Sequence, residues 1–217
     1  MHQEKPICQA AANLIILCLS VAMLKIKSLI PRGLIIVLAL TCLSAEKPKL
    51  VKTKIGDDIT VLIPAGWRPM DGMDFGERYP SIRAPLGAFT NDERLIDFSV
   101  NISATQWPDK DMAIAQKFFK SSLINMFDKV EMIKEGIQDI HGRKFVYFEF
   151  TSRLNGNRRE EGQTDPVLRY SYVQYLLGSD RTLVFSFNCP KRLQQEWQET
   201  AREMMSEIKV KEKKPSK

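Results

Sequence analysis

Ile96, Phe98, Val100 and Ile102 alternate with Asp97, Ser99, Asn101 and Ser103 over eight consecutive positions. Successive side chains of a strand point to opposite faces, so this period of two predicts a strand with one face on a core and one in water. Such a strand must bury its apolar face against a second layer, and the rest of the chain has to supply it. Ile59-Thr60-Val61-Leu62-Ile63 is a shorter β-type run, stopped by Pro64-Ala65-Gly66 ahead of Trp67 and Pro69. Residues 70–85 read as irregular, because Gly72, Gly76, Pro80 and Pro85 break any period.

After Trp107-Pro108, Asp109 is the expected N-cap of an amphipathic helix of about five turns. Its apolar positions Met112, Ala115, Phe119, Leu123 and Met126 recur every three or four residues. Residues 130–140 and 144–152 flank Ile140-His141-Gly142-Arg143, where glycine can take the positive φ of a tight hairpin. A polar connection, residues 153–166, leads to a second hairpin: residues 168–177, a turn at Gly178-Ser179-Asp180, and 183–188, with Leu183, Phe185 and Phe187 on one face. Pro190 suits the first turn of a closing helix, where its missing N–H has no intrahelical partner. Leu193, Trp197, Ala201, Met204 and Ile208 then trace one apolar stripe.

This order predicts an α+β domain: a single antiparallel β-sheet with two main helices packed against it. Residues 46–54, Lys-rich and without apolar period, read as a linker, 55–208 as the domain, and 209–217 as a basic, disordered tail.

The first 45 residues have the order of a secretory signal. From Met23 come Lys25, Lys27 and Arg32, an apolar run over 33–43, then Ser44 and Ala45 before polar Glu46. A second apolar run, residues 10–24, is shorter than the roughly 20 residues that cross a bilayer as a helix, and Met23 is the expected true start. Removal of residues 1–45 leaves a chain of one-domain size with one histidine, His141, and one cysteine, Cys189. Three cysteines (Cys8, Cys18, Cys42) fall in the signal, so export brings no intramolecular disulfide. Cys42 ends an apolar run, but Ala39-Leu40-Thr41 matches a lipobox poorly. The net charge of +6 divides into +3 for residues 1–45 and +4 for 209–217, leaving −1 for the body. A near-neutral body gives no general reason to bind nucleic acid.

Zinc sites need three or four N/S ligands, which one histidine and one cysteine cannot supply. His141 falls on a solvated hairpin tip, and Cys189 reads as a small buried residue. Asp71, Asp74 and Glu77, with Asp57 and Asp58, could form an oxygen site for Ca²⁺ or a carboxylate pair. EF-hand spacing is absent, and solvated loop charge is the expected reading. Ser103, Ser171 and Ser186 lack a G-x-S-x-G setting, and no Gly-rich phosphate loop occurs. No cofactor site is expected. Tyr147, Tyr170, Tyr172 and Tyr175 make the hairpins aromatic, and Tyr175 would lie on the face opposite Tyr170 and Tyr172, a possible recognition row. The connection 153–166 is longer than a hairpin needs, and Asn157, Arg158 and Arg159 are its expected contact residues. The Lys-rich tail could touch anionic lipid heads.

The run Ile59-Thr60-Val61-Leu62-Ile63-Pro64-Ala65-Gly66-Trp67, the Ile140-His141-Gly142-Arg143 turn, and a last strand passing through Cys189-Pro190 into a Trp-containing helix resemble the PsbP-like superfamily. That group contains the photosystem II PsbP, DcrB and Mog-type α+β domains. The resemblance covers residues 50–210 in element order and turn chemistry. It implies an exported bacterial accessory or binding module without catalysis, and no functional motif of the group is matched from which a site residue could be carried over. The expectation is therefore a secreted or periplasmic monomer that binds an envelope or membrane protein. The rival is a small-ligand carrier or an enzyme using a carboxylate pair in a helix/sheet cleft.

Intact mass of the membrane and soluble fractions checks the export signal. A species lacking residues 1–45 is expected, a species retaining them overturns cleavage, and one starting at Cys42 with a diacylglyceryl group would establish lipidation.

Overall fold

The computed structural model describes residues 47–78, 84–105, 107, 111–155, 165–178 and 180–211. The alternating run becomes strand β5, Asp97–Ile102, inside a seven-stranded antiparallel sheet. That sheet runs in the order β3 (Arg68–Pro69), β4 (Gly87–Thr90), β5, β9 (Leu183–Pro190), β8 (Val167–Leu176), β7 (Arg143–Leu154), β6 (Lys129–Ile140). A separate three-stranded sheet consists of β1 (Leu50–Ile55), β2 (Ile59–Pro64) and β10 (Lys209–Val210).

The single sheet expected from sequence is thus two, because β1 and β10 come from segments read as linker and tail. In β1, Val51, Thr53 and Ile55 register against Ile63, Val61 and Ile59. Lys52 and Lys54 fill the outward positions of that short period, which the lysine-rich composition of the segment obscures. At the other end Lys209 pairs with Thr60 and Val210 with Ile59, extending the domain past residue 208. Residues 50–54 are therefore strand, not linker, and Lys209–Val210 is strand, not free tail.

Three α-helices occur among the described residues: α1 (Gly72–Arg78), α2 (Met112–Met126) and α3 (Gln194–Ser206), the last led in by a 3-10 turn at Lys191–Leu193. Helix α1 sits in the stretch expected to be irregular. Asp71 starts it by accepting hydrogen bonds from the N–H groups of Met73 and Asp74, both at 3.0 Å. The expected cap Asp109 lies outside the described residues. Pro190 has an extended backbone (φ −54°, ψ 140°) and ends β9 one step before the helical turns begin.

Both faces of the large sheet are covered. On one, α3 and the small sheet enclose Phe98, Phe145, Phe185 and Phe187 with Ile59, Val61, Met204 and Ile208. On the other, Ala115, Phe119 and Leu123 of α2 pack on Val146, Phe148, Phe150 and Val173. The polar side of β5 is consequently not in water: Asp97 and Ser99 are buried. They are satisfied across the sheet, Asn188 donating to Asp97 at 2.9 Å, Ser171 to Asn188 at 2.9 Å, and Asn101 to Ser99 at 3.1 Å. The β6–β7 hairpin forms where expected, with positive φ at His141 (51°) and Gly142 (78°), the pair a type I′ turn requires. Strand β6 is an edge, blunted by a register irregularity between Met132 and Lys134 and by Lys129, Glu131, Lys134 and Glu135.

Helix α3 is tied to the sheet by a buried carboxylate. Glu149 of β7 is 1% exposed and accepts hydrogen bonds from Tyr170 Oη (3.0 Å), Gln198 Nε2 (2.5 Å), and Arg202 Nε (3.2 Å) and Nη2 (3.0 Å). Removing the arginine from a buried pair strands the remaining charge, at about 3 kcal/mol or more. Arg202→Met is expected to lower unfolding free energy by about that amount in urea titration. Adding Glu149→Gln, which keeps an acceptor and removes the charge, is expected to restore more than half of the loss; a double variant no more stable than Arg202→Met would refute this account.

Candidate partner-contact surface

Strands β7 and β8 stay paired out to Leu154 and Val167, so the connection expected to make contact leaves from the very end of the large sheet. Its base is pinned. Asn155 donates its N–H to Asp128 at 2.6 Å, Asp128 donates its N–H to the carbonyl of Arg153 at 3.0 Å, and Arg153 Nε reaches Asn155 Oδ1 at 2.8 Å. These bonds anchor the loop's start to the junction of α2 and β6. The expected contact residues Asn157, Arg158 and Arg159 lie outside the described residues. Around the loop's base, Leu154, Val167 and Leu168 are each nearly half exposed, between 45% and 48%. Sequence reasoning counted Leu154 within the polar connection and Leu168 as the start of a strand, and singled out none of the three. A usable signal was present, since apolar residues directly border a long polar loop at 154 and at 167–168.

Two open grooves share Leu168. One, of about 140 Å³, is lined by Lys129, Glu131, Thr151, Arg153 and Lys191. The other, of about 210 Å³, runs past Arg94, Leu95, Asp97, Arg169 and Pro190. Both are smaller than the ~300 Å³ at which enclosed small-molecule sites begin. Each holds one carboxylate. In the first, Glu131 is bracketed by Lys129 at 2.6 Å and Lys191 at 3.8 Å, and the adjacent lysines hold its carboxyl below the usual range. In the second, Asp97 is bound to Asn188.

Tyr175 does lie opposite Tyr170 and Tyr172, but the face it occupies is covered. Its ring stacks on Phe119 of α2 at a centroid distance of 3.9 Å, and it is 8% exposed. It is a core residue, and the recognition row expected there is replaced by helix packing. Burial pushes its phenol well above the usual range. Cys189 is buried, and desolvation raises its thiol to about 12. His141 stands at the hairpin tip with Nε2 3.5 Å from Glu207.

Among the described residues, the loop acids Asp58, Asp71 and Asp74 are engaged by arginines and do not converge on an open cation site. Asp74 is fully buried and bonded to Arg68 Nη1 at 2.7 Å and Arg94 Nε at 2.6 Å. Asp71 is exposed, and Asp58 pairs with Arg181. The side chain of Glu77 lies outside the described part. The buried Glu149 in the helix/sheet cleft meets Arg202 and no second carboxylate, Glu199 binding the far side of that guanidinium at 2.6 Å.

No protein-family model and no curated protein sequence matches the chain. Solved structures do. The solution structure of cyanobacterial PsbP (CyanoP) from Synechocystis sp. PCC 6803 is similar over 78% of this chain and 97% of its own, with a TM-score of 0.51 and 15% identity. LpqN, involved in cell envelope biogenesis of Mycobacterium tuberculosis, gives 0.49 at 12% identity, covering 77% and 93%. The Saccharomyces cerevisiae Ran-binding protein Mog1p gives 0.48 at 15%, covering 76% and 96%. The fold is PsbP-like, with the sheet divided in two.

Hydrogen bonds from Arg68 and from the Asp71 N–H hold the Asp74 carboxyl down at about 2, against 3.8 for the free group. A lowered carboxyl stabilises the fold above its unfolded pKa, and that contribution fades as pH falls through the folded value. Compared with Asp74→Asn, the native chain is expected to hold a constant stability advantage above pH ~4 that shrinks toward pH ~2. Urea midpoints across this range check it; an advantage independent of pH would disprove the ion-pair origin.

Proposed function

We propose that this protein is a non-catalytic binding or accessory module of the cell envelope that docks an envelope or membrane-protein partner through the end of its large sheet. The observation that carries the reading is the half-exposed apolar end of the large sheet at the root of the β7–β8 connection, Leu154 and Val167 paired on one face and Leu168 on the other, with Leu168 bordered by Lys129, Arg153 and Lys191 in one groove and by Arg169 in the next. Apolar centres with polar rims are how transient protein contacts are built. Arg158 and Arg159, basic residues of the same connection, are proposed contacts too. Export by residues 1–45 would bring the domain to such a partner, and no described helix is long and apolar enough to cross a membrane.

The carrier or enzyme reading draws less support. Among the described residues neither groove pairs two carboxylates, and the buried acid of the helix/sheet cleft, Glu149, is neutralised by Arg202.

A tagged chain incubated with native envelope extract is expected to retain a near-stoichiometric partner, identified by mass spectrometry. Leu154→Ser with Leu168→Ser should weaken that retention about tenfold or more, since each half-buried leucine contributes on the order of 1 kcal/mol. Replacing residues 155–162 by a short Gly/Ser turn should also weaken it. Undiminished capture by both variants would move the contact elsewhere, and no partner in any sample would turn attention to ligand screening of the grooves.

A further inference from the structure

The basic lead and the basic tail, separate in sequence, are brought together by the small sheet. Strand β1 places Lys52 opposite Leu62 and Lys54 opposite Thr60, and β10 places Lys209 opposite the same Thr60 from the other side. Paired residues share a face, so Lys52, Lys54 and Lys209 stand on one surface, with Lys54 and Lys209 about 10 Å apart across β2. The opposite surface of β2, carrying Ile59, Val61 and Ile63, is buried against the core. All three lysines are exposed, as are Lys47 and Lys49 before β1 and Lys211 after β10.

Ion pairs engage Lys120, Lys129 and Lys191, but among the described residues none engages any of these six. The acids of the three strands and the β1–β2 turn are Asp57 and Asp58, and Asp58 is bound to Arg181. Three like charges on the strands that flank β2 repel one another and gain the fold nothing, so stability gives no reason for the cluster. A flat, open face of unpaired lysines, with Leu62 partly buried among them, fits a planar anionic surface. In sequence, two apolar runs, residues 10–24 and 33–43, precede Lys47, which puts a bilayer among the surfaces this chain meets during export or after it.

We propose that the outer face of the small sheet, Lys52, Lys54 and Lys209 with Lys47, Lys49 and Lys211 at its ends, is a docking face for anionic lipid headgroups. Contact through the basic C-terminal tail alone is thereby replaced by contact through a folded face. The face is distinct from the partner-contact end of the large sheet and does not depend on it.

The test is cosedimentation of the full chain with phosphatidylcholine vesicles, with and without 30% phosphatidylglycerol (about one lipid in three), at low and high salt. Residues 1–45 carry +3 and favour the anionic vesicles as well, so the lysine face is read from the difference between the native chain and its lysine variants, which share that segment. Preference for the anionic vesicles, lost at high salt, is expected. Lys52→Gln, Lys54→Gln and Lys209→Gln together should reduce it on the order of 100-fold, taking the usual contribution of each basic residue at a membrane surface. The same three changed to Arg should keep it, which guards against misfolding as the cause. Lys213→Gln, Lys214→Gln and Lys217→Gln should leave most of it. Loss with the tail variant and not with the face variant overturns the proposal, as does equal binding to neutral vesicles. Binding to a nucleic-acid duplex at the same salt, with none to vesicles, overturns it too.

Discussion

One buried carboxylate sets where α3 sits. Burial of apolar area is non-directional, so by itself it does not choose which part of a sheet of phenylalanines a helix covers. Glu149 removes that freedom, because its acceptors are filled by Tyr170 from β8 and by Gln198 and Arg202 from successive turns of α3. A second tie fixes the far end: Gln174 Nε2 donates to the carbonyl of Met205 at 2.9 Å, and Gln138 Nε2 donates to Gln174 Oε1 at 2.8 Å. With α3 held at both places, Met204, Met205 and Ile208 meet β2 and the large sheet together, and the small sheet gains a surface to close against. Burial of this network raises the phenols of Tyr170, well above the usual range, and of Tyr172, to about 12, so both stay protonated.

Sequence reasoning reached the hairpins, both long helices and β9 because each carries its own period. It misjudged what the second face of each strand does. In β5 the Asp97 and Ser99 side alternates as a solvated face would, yet it is buried and satisfied by Asn188, Ser171 and Asn101. Local alternation reports which residues are polar, not whether another layer covers them. Strand β7 shows the converse, for Phe148 and Phe150 face α2 while Phe145 and Glu149 face α3, leaving no period to mark Glu149 as the exception. Strands β1 and β10 were missed for a third reason: they are short and lysine-bearing, and they gain their backbone partners only by pairing with β2.

The contact surface was half legible. Length and composition singled out the β7–β8 connection, and the strand pairing places its root beside Leu154, Val167 and Leu168. Groove partners such as Lys129, Lys191 and Arg169 could not be read, because they converge from β6, the 3-10 turn and β8 only through strand register. Tyr175 was assigned to the correct face and the wrong environment, since nothing in its neighbours foretells that Phe119, over fifty positions earlier, stacks on it.

The small sheet also changes the meaning of the charge. Counted by segment, the lysines before residue 55 and after 208 look like two unrelated ends of a near-neutral body. Register makes them one field. The chain enters β1 opposite Pro64 and leaves β10 opposite Ile59, at the two ends of a strand of six residues, about 17 Å of rise. Lys49 and Lys211 therefore bound the face lengthwise while Lys52, Lys54 and Lys209 fill it. Charge spread over a distance greater than the ~8 Å screening length acts on an extended surface more effectively than on a point partner. The two proposed contacts thus sit on different sheets: an apolar, loop-rooted end suited to a protein, and a lysine face suited to a charged plane.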